Sequence, residues 1–408
     1  MDPIDIIFIS VTGLVLYVTF LFVLLFFRNK KKMDLIPNIE KLPTVTILVP
    51  AYNEEKNIKH SIENLNNLNY PKKFLEIIVI DDHSTDSTAN IAKSMEKHLD
   101  VGSFRVITND KKGKAEALNF GLKHAKGDFI VVVDADSYPE KNSLLESIPF
   151  FDEDDVMAVT TKILVKNDHN FLGRLQALEY SLISWTRKLS EYIEGIYVTP
   201  GPFALYRKKV FDKIGYFDPK NATEDIEIAW RILSRGYKIK MSPAKAYTNA
   251  PEKWKQWVKQ RLRWNIGGMQ TTAKYKSFMF RKGPSSFKFY VIPFFTLSYF
   301  VTFLSLSLFM YLGYLWLYKN LTFIISAYLV GVDPFKHYVF TFLPDLFLYF
   351  GAVLIIATTF IIYVGMKDMK IKQKSWPYVA FYLTFYITIF PFLMAYSIIK
   401  YAQGYNDW

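Results

Sequence analysis

The 408-residue chain contains no cysteine. Disulfides, thiolate catalysis and cysteine-based zinc sites are therefore excluded. Internal repeats and low-complexity linkers are absent as well, which removes solenoids and arrays from consideration. Acid is in deficit: 38 Asp+Glu stand against 50 Lys+Arg, a formal charge of +12. That balance fits nucleic acid, anionic lipid or phosphorylated substrates as partners. Arg28, Lys30, Lys31 and Lys32 follow directly on an apolar run, which favours the lipid surface over nucleic acid. Hydrophobic residues are 51% of the chain and aromatics 17%, yet 22% of residues are charged. The mixture suits a soluble domain joined to membrane spans.

Charge is also missing from whole stretches. Residues 6–27 carry none over 22 positions, enough to cross a bilayer. Their basic flank follows the span, so they read as a retained signal-anchor with the N-terminus outside. Residues 289–317 and 378–399 are uncharged, and 341–364 hold one acid, Asp345. The four lysines of residues 367–374 mark a cytoplasmic loop. Three C-terminal spans then leave the C-terminus outside. Residues 321–332 are apolar but too short to cross, and read as re-entrant, interfacial or part of a bent span. A transporter should carry ionisable residues within paired spans. Only Asp345 qualifies, which argues against a transporter or scaffold.

Between the spans the pattern changes. Apolar runs at 45–50, 77–80 and 129–133 suit buried strands of a mostly parallel sheet. Helical patterns at 54–65, 87–97 and 115–125 alternate with them, which implies an α/β domain. In such sheets ligands bind beyond the carboxyl ends of the strands, where Asp81 and Asp134 stand. Residues 171–193 and the tryptophans Trp254, Trp257 and Trp264 form amphipathic patterns. These read equally as interfacial helices or as helices packed on the domain core.

Several clusters bear on chemistry. Pro50-Ala51-Tyr52-Asn53-Glu54 and Asp81-Asp82 close two strands, where a carboxylate can accept from a base imide or ribose hydroxyl. Ser84 or Asp86 reads as an N-cap for the helix that follows. Asp134-Ala135-Asp136 can hold Mg²⁺ or Mn²⁺ through carboxylate oxygens. A second acidic triplet, Asp152-Glu153-Asp154, follows no strand. Lys114 precedes a helix start suited to a diphosphate, whereas Lys111 and Lys112 read as solvated. Thr223-Glu224-Asp225 opens a helix, with Thr223 a ready N-cap. Gln260-Arg261-Leu262-Arg263-Trp264 is the most specific pattern, since Gln-x-x-Arg-Trp arises by chance on the order of once in a hundred chains of this length. Arginine pairs with phosphate, and tryptophan offers a flat face to a sugar.

Taken together, Asp82, Asp134-x-Asp136, Thr223-Glu224-Asp225 and Gln260-x-x-Arg263-Trp264 resemble the membrane-integrated family 2 glycosyltransferases. These include cellulose, chitin, hyaluronan and poly-N-acetylglucosamine synthases. The stretches 223–230 and 259–264, with Gly267-Gly268, look most like the poly-β-1,6-N-acetylglucosamine group. The resemblance implies an α/β fold: a GT-A (Rossmann-like) cytoplasmic domain with flanking transmembrane α-helices. It divides the chain into an N-terminal helix and basic flank (1–32), the catalytic domain (33–270), an interfacial segment (271–288) and a membrane region (289–408). It further implies donor contacts at Ala51, Tyr52, Glu54, Asp82, Lys114 and Asp134, and a metal, Mg²⁺ or Mn²⁺, on Asp136 with Asp134. Asp225 would be the base, flanked by Glu224 and Thr223. Gln260, Arg263 and Trp264 would clamp the diphosphate and the acceptor. The implied partners are a nucleotide-sugar donor, most simply UDP-GlcNAc, a carbohydrate or glycolipid acceptor, and the bilayer, with no nucleic acid. Two departures stand out. No gating loop of the cellulose synthase kind follows Trp264, and three C-terminal spans are few for a polymer channel. Single-sugar transfer to a lipid therefore stays open beside polymer extension, as does an accessory membrane subunit or homo-oligomer.

Overall fold

The computed structural model describes residues 3–38, 41–281, 283–284, 286–333, 346–371 and 376–405. Asp345, Lys372, Lys374 and Trp408 lie outside these residues. Eight strands form one sheet: β1 (Val45–Ala51), β2 (Leu75–Asp81), β3 (Ser103–Thr108), β4 (Phe129–Val132), β5 (Ser137–Pro139), β6 (Val156–Val165), β7 (Ala204–Arg207) and β8 (Lys238–Thr248). Around it lie α1 (Pro3–Asn29), α2 (Ile58–Asn66), α3 (Thr88–Ser94), α4 (Lys114–His124), α5 (Ser143–Ser147), α6 (Phe171–Glu191), α7 (Lys209–Ile214), α8 (Glu224–Ser234) and α9 (Trp254–Tyr275). Three further helices follow, α10 (Ile292–Leu329), α11 (Leu346–Asp368) and α12 (Trp376–Ala402).

The strand order is β3-β2-β1-β4-β7-β6-β8-β5. The first four strands are parallel, and β1 and β2 are buried at every residue, which is why they are continuous apolar runs rather than alternating ones. Beyond β4 the sheet is mixed: β7 runs antiparallel to β4 and β6, β8 runs parallel to β6, and β5 antiparallel to β8. The expectation of a mostly parallel sheet thus holds for its first half only. The order reverses between β1 and β4, and a ligand crevice opens at the carboxyl ends of strands at such a switch point. Asn53 and His83, with φ of 55° and 60°, turn the chain sharply just past β1 and β2. Asn53 Oδ1 accepts from the Thr85 N–H at 2.8 Å and ties the two strand ends together.

The amphipathic helices resolve into core elements with two packed sides. On the sheet side of α6, the Ser184 hydroxyl bonds to the backbone of Ile163 in β6 at 3.0–3.1 Å. Elsewhere on α6, Trp185 and Leu189 pack with Phe22, Leu25 and Phe26 of α1, and Leu178 and Leu182 with Ile362 and Met366 of α11. On α9, Trp257 is buried against Leu172 and Leu393, and Trp254 rests on Phe385 of α12. Trp257 thus faces the protein's own helices, whereas Trp254 keeps 43% of its surface exposed.

Among the described residues three helices are long and apolar enough to cross a membrane: Asp5–Lys32, Phe287–Leu329 and Tyr349–Asp368. A fourth candidate, α12, bends by 46° between Phe385 and Thr388. The bend falls about one turn before Pro391, whose ring clashes with the carbonyl four residues back. Residues 321–329 are neither re-entrant nor separate, since they continue α10 without a break. Tyr318, Lys319 and Asn320 interrupt the apolar run but carry no strong helix-breaking tendency.

Candidate functional site

A cavity of about 350 Å³ lies beyond the carboxyl end of β4. It gathers Lys114, Asp134, Asp136, Thr223, Glu224, Asp225, Gln260, Arg263 and Trp264 from four separate parts of the chain. Ala51, Tyr52, Glu54 and Asp82 do not line it. They stand beside it at the ends of β1 and β2.

Asp134 and Asp136 follow β4 directly. Lys114 opens α4 and bridges two stations: its Nζ lies 2.7 Å from Asp134 Oδ1 and 3.0 Å from Glu224 Oε1. Gly201 closes over this bridge. Its carbonyl accepts from the Asp134 N–H, and a Cβ there would lie 2.7 Å from both Asp134 Oδ1 and Lys114 Nζ, so a side chain at this position would push the bridge aside.

Glu224 and Asp225 begin α8. Thr223 occupies the N-cap position but makes no side-chain capping bond; its hydroxyl donates instead to Asn221 Oδ1 at 3.2 Å. The expected capping role is thus filled in position and not in bonding. The α9 backbone packs directly against this side chain: a Cβ on Gly267 would lie 2.0 Å from Thr223 Oγ1. The helix start is held from behind. Fully buried Trp230 packs edge-on against Phe287 and Phe295, and Trp230→Ala should cost about 3–5 kcal/mol. Fully buried Glu227 is bonded by Arg231, Lys274 and Tyr275.

The neighbouring carboxyls are driven apart electrostatically. Burial would lift Glu224, but the Lys114 ammonium and Arg263 guanidinium outweigh it and hold Glu224 below its ordinary value. Among the described residues Asp225 makes no salt bridge; burial, and then the Glu224 charge, push it up to about 6. Asp136 is pushed up to about 7, by burial first and then by Asp134 and Glu54. Its hydrogen bonds are long, 3.4 Å from each of the Ser137 and Thr248 hydroxyls. Lys114 is raised by Asp134 and Glu224 although burial opposes it.

Among the described residues no group of three or more metal-ligating side chains converges. Asp134 and Asp136 still fit a hard divalent cation. They offer carboxylate oxygens in an acid-rich crevice, and Mg²⁺-type ions complete their shell with water and substrate phosphates rather than an all-protein cage.

Beside the cavity, both carboxylate oxygens of buried Asp82 accept from the Gly113 N–H, at 2.8 and 2.9 Å, and one accepts from Asn109 as well. Asp82 thereby pins the loop that leads into α4. Lys112 is exposed, as expected, and its Nζ lies 4.2 Å from the centre of the Tyr52 ring and donates to the Tyr52 hydroxyl. Asp86 accepts from the Thr88 N–H at 3.0 Å, one residue ahead of the N-cap Ser87.

On α9, Gln260, Arg263 and Trp264 reach the cavity while Arg261 turns inward. Arg261 pairs with buried Glu179, bonds Gln260 Oε1 at 2.8 Å and covers the Trp264 ring at 4.2 Å. Tyr180, Arg187, Tyr197, Gly201 and Asn249 also line the cavity and were not singled out from sequence. Pro200-Gly201-Pro202, just before a strand, was the one readable signal among them.

A mixed sheet with an acidic pair at the switch point, under a helix bearing Gln-x-x-Arg-Trp, has the layout of the GT-A fold. Residues 46–215 match the model for glycosyl transferase family 2. The poly-beta-1,6-N-acetyl-D-glucosamine synthase of Staphylococcus aureus (strain COL) is 35% identical over 241 residues, 58% of this chain and 57% of that protein. A probable glycosyltransferase, YdaM of Bacillus subtilis (strain 168), is 34% identical over 251 residues, 60% of each chain. The chain thus matches somewhat over half the length of these curated relatives. The mannosyltransferase PcManGT from Pyrobaculum calidifontis, solved with GDP-Man and Mn²⁺, superposes with a TM-score of 0.60 at 21% identity. That likeness covers 97% of this chain and 99% of the other, and extends the common fold beyond the sheet.

Proposed function

We propose that this chain is an inverting, membrane-bound glycosyltransferase that extends a β-linked polysaccharide from a nucleotide diphosphate sugar, UDP-GlcNAc by analogy with the curated relatives. The observation that carries the reading is the split between Glu224 and Asp225. Two adjacent acids at one helix start are held in different states, one bound to Lys114 and one, at the cavity wall, with no salt bridge among the described residues. Divergent carboxyls of this kind mark an acid–base site.

In this mechanism the donor lies across the switch point, with Ala51, Tyr52, Glu54 and Asp82 toward the nucleotide. Lys114 and Asp134 stand near its sugar and phosphates. Mg²⁺ or Mn²⁺ held by Asp134 and Asp136 would stabilise the charge of the departing diphosphate. Arg263 adds fixed positive charge, and Gln260 adds amide hydrogen-bonding groups beside it. The acceptor hydroxyl attacks from the face opposite the diphosphate while Asp225 takes its proton. One displacement inverts the anomeric carbon, so an α-linked donor yields a β-product. Trp264 offers its face to the acceptor sugar. Glu224 remains bound to Lys114 and is a poor base.

The domain division follows: residues 33–270 catalytic and cytoplasmic, 1–32 an anchor, 271–288 interfacial and 289–408 in the membrane. Both termini would be outside. A second reading, transfer of one sugar to a polyprenyl phosphate or glycolipid, is favoured by α6, which forms one cavity wall and packs on α1 and α11. One experiment tests both: purified protein, a panel of radiolabelled nucleotide sugars, and product sizing after extraction. A ladder supports extension and a single lipid-soluble product supports the second reading. No transfer from any donor removes the proposal.

A further inference from the structure

Arg187 has no role in the chemistry described so far. It lies on α6, 5% exposed, and lines the same cavity as Asp225. Its guanidinium carries five N–H donors. Nε has no partner, and Nη1 makes one long bond, 3.5 Å to the Thr161 carbonyl. Among the described residues it has no carboxylate partner. A buried, under-bonded guanidinium is costly, and it stays charged because arginine does not release its proton in proteins. The missing partner is best supplied by a ligand.

The cavity's charge says what kind of ligand group. Its lining holds three cations, Lys114, Arg187 and Arg263, against four carboxylates. Lys114 is already committed to two of these carboxylates. A donor diphosphate adds further negative charge. Another anion at Arg187 would enter a field with acid in excess, whereas a neutral carbonyl oxygen would not. The surroundings agree. Ile183 stands one turn earlier on α6, and the Tyr197 ring lines the same cavity. They present apolar surface beside a strong donor, which suits an amide group bearing a methyl.

We propose that Arg187 donates to the carbonyl oxygen of an acetamido group on a sugar in the cavity, and so selects 2-acetamido sugars over their 2-hydroxyl counterparts. The inference rests on the glycosyl-transfer reading and names its specificity. The acetamido group belongs either to the donor sugar or to the acceptor's terminal sugar, and two arms separate these.

The test compares wild type, Arg187→Met and Arg187→Lys. One arm measures kcat/KM for UDP-GlcNAc and UDP-glucose with a fixed acceptor. The other uses acceptor oligosaccharides ending in GlcNAc or glucose with a fixed donor. In one arm Arg187→Met should lower kcat/KM for the acetamido substrate about 10²-fold, as loss of a hydrogen bond to a charged group does. The hydroxyl substrate should change less than about threefold, because it never made that bond. Arg187→Lys, which keeps a cation, should fall between; it carries the test if the Met variant does not fold. Equal losses for both substrates, in both arms, would reduce Arg187 to a structural residue and overturn the proposal. Selective loss with a lipid-phosphate acceptor would also overturn it and make Arg187 an anion site. If wild type transfers from UDP-glucose but not from UDP-GlcNAc, the donor assignment itself fails, and that is visible before any variant is made.

Discussion

Two acidic triplets lie 18 residues apart in this chain and have opposite surroundings. Asp152-Glu153-Asp154 precedes β6 on the surface and is saturated with lysine. Lys240 reaches Asp152 and Glu153 at 2.7 and 2.8 Å, and Lys238 reaches Glu153 at 2.7 Å. Hydrogen bonds to these lysines hold the Glu153 carboxyl down at about 2. Asp134-Ala135-Asp136 follows a buried strand into a crevice whose neighbours are mostly acids, and burial leads Asp136 up to about 7. The same residue pattern is neutralised in one place and short of positive charge in the other. The proposed chemistry falls where positive charge is short, which depends on which strand ends where.

The sharpest way to press that contrast is to remove one crevice charge at a time. Asp225→Asn keeps the shape and the bond from the Ile226 N–H to Oδ1, 2.9 Å in wild type. Turnover should fall roughly 10²–10⁴-fold, the worth of a general base, with donor affinity retained. Activity within about tenfold of wild type would place the base elsewhere. Wild-type turnover should rise with pH through about 6 and then level, because Asp225 must be ionised to act. Stability runs the other way. A carboxyl raised in the folded state contributes stability that is full below its unfolded value near 3.8 and is lost as pH rises through about 6. Above pH 6 the Asn variant should therefore melt no lower than wild type, despite the lost helix-dipole attraction. A residue that merely capped α8 would give the opposite melting shift and normal turnover.

The next effect concerns the pair at β4. Chelation should abolish turnover, and Mg²⁺ or Mn²⁺ should restore it. Asp136→Asn should raise the metal concentration needed for half-maximal activity by at least about tenfold. Full activity in excess chelator would remove the metal from the mechanism and erase the distinction between the triplets.

Much of this was readable before the fold was known, for physical reasons. Continuous apolar runs ending in acid located β2 and β4, because strands buried on both faces cannot alternate. Thr223-Glu224-Asp225 announced a helix start. What α6 and α9 pack against was not readable, because one amphipathic stripe serves a lipid surface and a protein core alike. Glu179, Arg187 and Arg261 were also hidden. Each is a charged residue on a helix, and only the packing of α6, α9 and β6 takes it out of water. Gly267 carries no local signal either; its need for a missing side chain arises from Thr223, remote in sequence.

The smallest expected effect is the control that gives the comparison its meaning. Asp152→Asn and Asp154→Asn should leave turnover within about twofold, alone or together, and leave its metal dependence unchanged. The acid side chains there are 42% and 98% exposed, against 26% for Asp134. Exposed ion pairs are worth ~0–1 kcal/mol, because water screens them and two long side chains must be ordered. Lys240 keeps Glu153 when Asp152 is neutralised, so no cation is stranded. The Asp154 pair with Lys209 spans 3.8 Å, near the limit of contact, and should contribute least. Melting temperature and turnover on the same preparations decide the point. A large activity loss without a melting change would mean that the surface triplet takes part in the reaction, and that a strand end and an acid-rich crevice are not what separates a working acidic pair from an idle one.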